Sequence, residues 1–159
     1  MTTMSRRRAT LGAGMAALLA GLSLWPAAAQ ATAPMRYQAR LLAQASIADS
    51  MNIKTTKPSA LQLVTITIQP GGNGGWHSHD AFVLVAVKRG TATFYDGDDP
   101  TCTPHYYPAG TGVTENAGPS HVHITRNEGA VPLVYDVVVI VPAGGSAVLD
   151  KPRPGNCPF

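Results

Sequence analysis

The chain has 159 residues, with 12 Lys and Arg against nine Asp and Glu and a formal net charge of +3. Arg6, Arg7 and Arg8 are three of those basic residues, so beyond residue 31 nine positive charges face nine negative ones and the formal charge is zero. No basic surplus remains to attract nucleic acid or an anionic membrane, and about 130 residues suit one ordinary domain with a core of its own.

Residues 1–31 have the three-part layout of a secretory signal peptide. Ser5 to Arg8 form a basic start, Leu11 to Trp25 an apolar run, and Pro26 leads into small residues with cleavage expected after Ala29 or Ala31. The apolar run is about 15 residues, short of the roughly 20 that a membrane-spanning helix needs. A periplasmic or secreted protein is therefore expected, with no membrane association after the signal is removed. "SRRRATLG" also resembles a twin-arginine signal, with Thr10 and Leu11 a partial match, so both export routes stay open.

Residues 32–60 read as an N-terminal extension in which Tyr37 to Ala48 suits either a short strand or one turn of helix. From Leu61 the pattern is clear. "LQLVTITIQPGG" sets Leu61, Leu63, Thr65 and Thr67 on one side and Val64, Ile66 and Ile68 on the other, then stops at Pro70-Gly71-Gly72. "AFVLVAVKRG", "TATFYDGDDP", "HYYPAGTGV", "HVHITRNEG" and "VPLVYDVVVIVPAGG" repeat this punctuation, with turn residues about every 8 to 12 positions. The spacing predicts an all-β domain over residues 61–159, closing its edges as a barrel or a double-sheet jelly roll.

Cys102 and Cys157 are the only cysteines, and an even pair in an exported chain predicts a disulfide. Closing that loop of about 55 residues would stabilise by about 4 kcal/mol in the chain-entropy model. A redox pair or thiolate site would need closer spacing.

Four of the five histidines form two His-x-His pairs, His77 with His79 and His121 with His123. Residues two apart on a strand share a face, so each pair projects together. A lone pair is often no more than half-buried polar surface. Two pairs on separate strands favour a shared site, since imidazole is a common metal ligand. His105, in "CTPHYYP", reads as a surface residue.

Around these pairs the chain resembles the cupin family, over roughly residues 61–142. The family's first motif, Gly, five residues, His-x-His, three or four residues, Glu, six residues, Gly, is matched by Gly71, His77-Ser78-His79, Val83 and Gly90, with valine in the place of glutamate. The second motif is displaced. Pro108-Ala109-Gly110 is present, Val113 stands where a histidine is expected, and "GPSHVHITRNEG" supplies His123 with Asn127 four residues later, as if the loop were lengthened.

The resemblance implies a single-domain cupin-type jelly-roll β-barrel with a divalent transition metal, Fe, Cu, Zn, Ni or Mn, on His77, His79 and His123. His121 is a candidate fourth ligand. The carboxylate that the motif places at Val83 is missing, which predicts weaker binding and a position left to water or substrate. Val83, Trp76 and Tyr95 are pocket candidates, Tyr106 and Tyr107 weaker ones, and all four aromatics fit the barrel core equally well.

Asp96, Asp98 and Asp99 lack the spacing and terminal glutamate of an EF-hand, so "YDGDDP" reads as a hairpin turn. The chain has no Gly-x-Ser-x-Gly, Walker or Rossmann motif and no close glutamate pair. Three functions are consistent with these residues: a metal-dependent oxygenase-type enzyme on a small organic molecule, a metal-free small-ligand binder, and an exported scaffold. No catalytic residue is assigned, and an exposed barrel edge leaves a homodimer open.

Overall fold

The structure, a computed structural model, describes residues 35–48, 50–115 and 118–159. The signal-peptide reading of residues 1–31 lies outside them. Strands occur only within residues 39–159, which make up one unit.

Among the described residues nine strands are formed: β1 Ser59–Ile68, β2 His77–His79, β3 Phe82–Arg89, β4 Thr91–Asp96, β5 His105–Pro108, β6 Gly112–Glu115, β7 Gly118–Arg126, β8 Leu133–Pro142 and β9 Leu149–Asp150. They build a four-stranded sheet in the order β1-β8-β3-β6 and a five-stranded sheet in the order β5-β4-β7-β2-β9. Every strand pairing is antiparallel. The all-β jelly-roll expectation holds. The barrel is one of packing only, because the two sheets remain separate hydrogen-bonded layers. No helix occurs among the described residues, so none is long and apolar enough to cross a membrane.

Strict alternation in β3 and β8 builds the core. Val83, Val85 and Val87 are buried and lie opposite Val139, Val137 and Tyr135 of β8, also buried. Cross-strand partners project to one face, and β-branched side chains pack well on a pleated surface. Phe94, Val113 and Leu133 complete this cluster. The alternation read in β1 is only partly used. Ile68 reaches the core and Ile66 packs on it, whereas Leu61 and Leu63 stay 66% and 72% exposed. Both belong to the end of an edge strand that pairs with β8 alone.

Tyr37 to Ala48 forms neither helix nor full strand. It makes one parallel bridge, Ser46 to Thr111, in which Ser46 N–H donates to Gly110 O and Gly112 N–H to Ser46 O, each at 3.0 Å. Gly90 turns β3 into β4 with φ +76, and a Cβ there would meet Leu133 Cα at 3.2 Å, so both conformation and space call for glycine.

Cys102 and Cys157 form the expected disulfide. It joins a second cluster of Trp76, Tyr95, Ile124 and Cys157, against which Phe159 packs. The Phe159 ring meets Tyr95 edge-on at 5.0 Å and carries the Arg126 guanidinium 3.9 Å from its centroid. This corrects the pocket assignment of Trp76 and Tyr95, whose rings are taken up by the C-terminal tail.

Candidate metal centre

Antiparallel register assembles the site. His77 on β2 lies opposite His123 on β7, so both imidazoles share a face, and a register shift between His77 and His79 turns the second ring toward the same point. The ring centroids of His77, His79 and His123 lie 4.5 to 5.1 Å apart.

The fourth member comes from β6. Glu115 lies directly across from Val83, so its carboxylate shares the inward face of the sheet with that valine. The expectation of a carboxylate-free set is thereby corrected. The position that resembles the family's glutamate is apolar, and the neighbouring strand supplies the anion. One ligand atom from each of His77, His79, Glu115 and His123 lies within 4.8 Å of all the others. Glu115 is one of only two glutamates in the chain, and it ends a short run of strand-forming residues. That scarcity was the available signal.

The ligand nitrogens are oriented from behind. Nδ1 of His77 donates to Gly75 O at 2.8 Å and Nδ1 of His79 donates to Ala147 O at 2.5 Å. A ring that spends its Nδ1 proton on a carbonyl offers Nε2 to a metal, the usual second layer behind an imidazole ligand. His123 differs, since its buried Nδ1 has no hydrogen-bond partner among the described residues. Packing against Phe94 and against the other site histidines holds that ring.

The converging atoms also contact one another. His79 Nε2 is 2.8 Å from Glu115 Oε2, His123 Nε2 is 3.7 Å from the same oxygen, and the two Nε2 atoms are 3.3 Å apart. Burial works against the Glu115 charge, but hydrogen bonds from His123 and His79 prevail and hold its carboxyl down at about 2. Burial likewise opposes a charge on His79, yet the Glu115 hydrogen bond and the Ala147 carbonyl raise its pKa. Burial dominates at His77, lowers its pKa and keeps it a neutral ligand. Desolvation and then the Glu115 charge keep the buried Tyr135 phenol protonated beside the group.

His121 is not among the four converging residues. Its Nε2 lies 3.6 Å from Asp96 Oδ1, and His105 Nε2 lies 3.7 Å from the other oxygen of the same carboxylate. His105, read as a surface residue, is half exposed and still lines a cavity of about 170 Å³ together with His121, His123 and Glu115. Val83 lines a larger cavity of about 390 Å³ beside His77, His79 and Glu115.

Asn127, four residues beyond His123, is structural. Its buried amide donates to Ile68 O at 2.8 Å and Val131 O at 2.9 Å, tying the end of β1 to the turn before β8.

Two facing antiparallel sheets of jelly-roll type thus gather a His-x-His from one strand, a histidine from a second and a carboxylate from a third into one group that could hold a metal ion. No protein-family model matches the chain and no curated protein matches it. Solved structures do. An uncharacterised conserved protein with a double-stranded β-helix domain from Klebsiella pneumoniae is 24% identical with TM-score 0.47, over 60% of this chain and 79% of its own. A predicted oxalate decarboxylase from Thermotoga maritima is 23% identical with TM-score 0.42, over 49% of this chain and 64% of its own. The DMSP lyase DddQ from Ruegeria pomeroyi is 21% identical with TM-score 0.49, over 60% of this chain and 45% of its own. The chain thus spans less than two thirds of the Thermotoga protein and under half of the lyase. Likeness at this level concerns the fold alone.

Proposed function

We propose that the protein is an exported cupin that binds one divalent transition metal through His77, His79, Glu115 and His123 and acts with it on a small organic molecule, as an oxygenase-type enzyme. The observation that carries this reading is the convergence of three imidazoles and one ionised carboxylate within 4.8 Å. Nitrogen ligands suit Fe, Cu, Ni and Zn, and the carboxylate extends the range to Mn. The carboxylate also offsets one of the two metal charges. Bound there, the metal would act as a Lewis acid and a template for the substrate. The chain's own contribution is to orient the Nε2 atoms from behind, to hold Glu115 ionised and to keep the surrounding walls apolar.

Export is supported by the leader pattern and by the disulfide, which an oxidising compartment sustains. Metal analysis of protein purified from its native compartment tests the central claim. About one equivalent is expected; absence of metal, together with no uptake of added Fe, Cu, Zn, Ni or Mn, would overturn it. A second reading, a metal-free binder of a small ligand, would use the directly paired His79 Nε2 and Glu115 Oε2, 2.8 Å apart, as hydrogen-bonding groups toward that ligand. Retention of an organic ligand by protein that takes up no metal would select it.

A further inference from the structure

The metal group stands between two cavities of unlike chemistry. The larger, about 390 Å³, is walled by Val64, Ile66, Val83, Val137 and Val139, and His77 and His79 open onto it. The smaller, about 170 Å³, is walled by Phe94, Tyr107 and Val113 and carries Asp96, His105 and His121, with His123 at its edge. Glu115 lines both. Register explains the division. Phe94 pairs with His105 and Asp96 with His123, so the polar residues of the small cavity stand on the inward face of the five-stranded sheet, while the valines of the large one stand on the inward face of the other.

Resting on the proposed metal site, we infer that this site is served from two sides: the large chamber takes the apolar body of an organic ligand, and the small vestibule admits a separate neutral or cationic hydrogen-bonding molecule. Size bounds the second. A cavity of about 150 Å³ holds benzene, so the vestibule takes nothing larger than a single ring. Charge bounds it as well. Asp96 is a carboxylate 3.6 and 3.7 Å from two imidazole nitrogens, beyond hydrogen-bond distance, so all three groups are available to an incoming donor and the carboxylate disfavours an anion. In the chamber, apolar burial drives binding, and Tyr135 and Thr125 are buried in its wall along with His79 and Glu115.

Two exposed rim positions allow each side to be closed without disturbing the core, His105 at the vestibule and Val148, 54% exposed, at the chamber. The full chain is loaded with Co²⁺, whose visible spectrum reports its ligands. Imidazole is then titrated as the vestibule probe by absorbance, and toluene as the chamber probe by ligand-observed NMR. His105→Trp is expected to weaken imidazole about tenfold or more and leave toluene within twofold, and Val148→Trp to do the reverse. Azide should bind the cobalt more weakly than imidazole, with Asp96→Asn narrowing that gap severalfold. A protein that takes up no cobalt overturns the metal reading and the two-sided site together. A cobalt-loaded protein in which both rim variants affect both probes alike, or neither affects either, overturns the two-sided site alone.

Discussion

Glu115 and Val83 are register partners across β6 and β3, and the carboxylate missing from one strand is carried by the other. Both side chains are buried on the same inward face, so the anion reaches the imidazoles of His79 and His123 from one strand further along the sheet. The site keeps its charge and changes the backbone that holds it.

That relationship predicts an exchange. Glu115→Gln should reduce metal affinity about 10- to 100-fold, the range seen when groups that tune a metal site are removed. Combining Glu115→Ala with Val83→Glu should recover part of the loss, because position 83 projects to the same face. Isothermal titration with Zn²⁺ on wild type, Glu115→Gln, Glu115→Ala and the double variant checks both. A swap that binds no better than Glu115→Ala alone would show that position 83 does not reach the ligand group.

Metal uptake should release protons and weaken in acid. His79 must give up the Nε2 proton that Glu115 stabilises, and its pKa is raised, so affinity should fall as pH drops through and below that raised value. His77, with its pKa lowered, stays a neutral ligand further into acid. Proton release measured with a pH indicator during zinc titration at pH 6 and at pH 8 tests this, with the larger release expected at pH 6.

The metal-free protein should lose stability in acid through Glu115. Its folded carboxyl is held at about 2 against an ordinary 4.5, so the unfolded chain takes up the proton first on acidification. The contribution is fully present above about 4.5 and lost as pH falls toward 2. Melting temperatures of metal-free wild type and Glu115→Gln across this range should converge at the acid end. Parallel curves would remove the ion pair as a source of stability.

Reducing the Cys102–Cys157 bond should cost stability and spare the metal. The bond anchors Phe159 over Trp76 and Tyr95 on the face of the sheet opposite the histidines. Loss of a native disulfide costs about 2–5 kcal/mol in small domains. Cys157→Ser should lower the melting temperature with metal stoichiometry unchanged; loss of metal would mean that the tail also positions the ligands.

Asn127→Ala should destabilise by about 1–3 kcal/mol, since it leaves the buried Ile68 O without its donor, the bond to the more exposed Val131 O adding less. Denaturant unfolding measures this, and metal binding by the folded variant should match wild type.

Much of this architecture was legible as period-two alternation. The runs "AFVLVAVKRG" and "VPLVYDVVVIVPAGG" read as strands, and Val83, Val85, Val87, Val137, Val139 and Val141 are the positions that the structure turns into the core. His77, His79 and His123 were legible for the same reason, since His-x-His on a strand points one way. Trp76 and Tyr95 were not, because aromatic residues suit a pocket and a core equally and only the arrival of Phe159 decides between them. His105 is the surface residue that the sequence suggests, and its place at the mouth of the smaller cavity follows from pairing with Phe94, a partner eleven residues away.

The sequence by itself determined most of the strands, the disulfide partners and three of the converging imidazoles, since each depends on local periodicity or on a count of available residues. Only the tertiary structure decided which carboxylate joins them and that His121, though its ring lies beside that of His123, directs its Nε2 toward Asp96. Those outcomes depend on the register between strands distant in the chain, and register is set by the packing of whole faces, which no local stretch of residues contains.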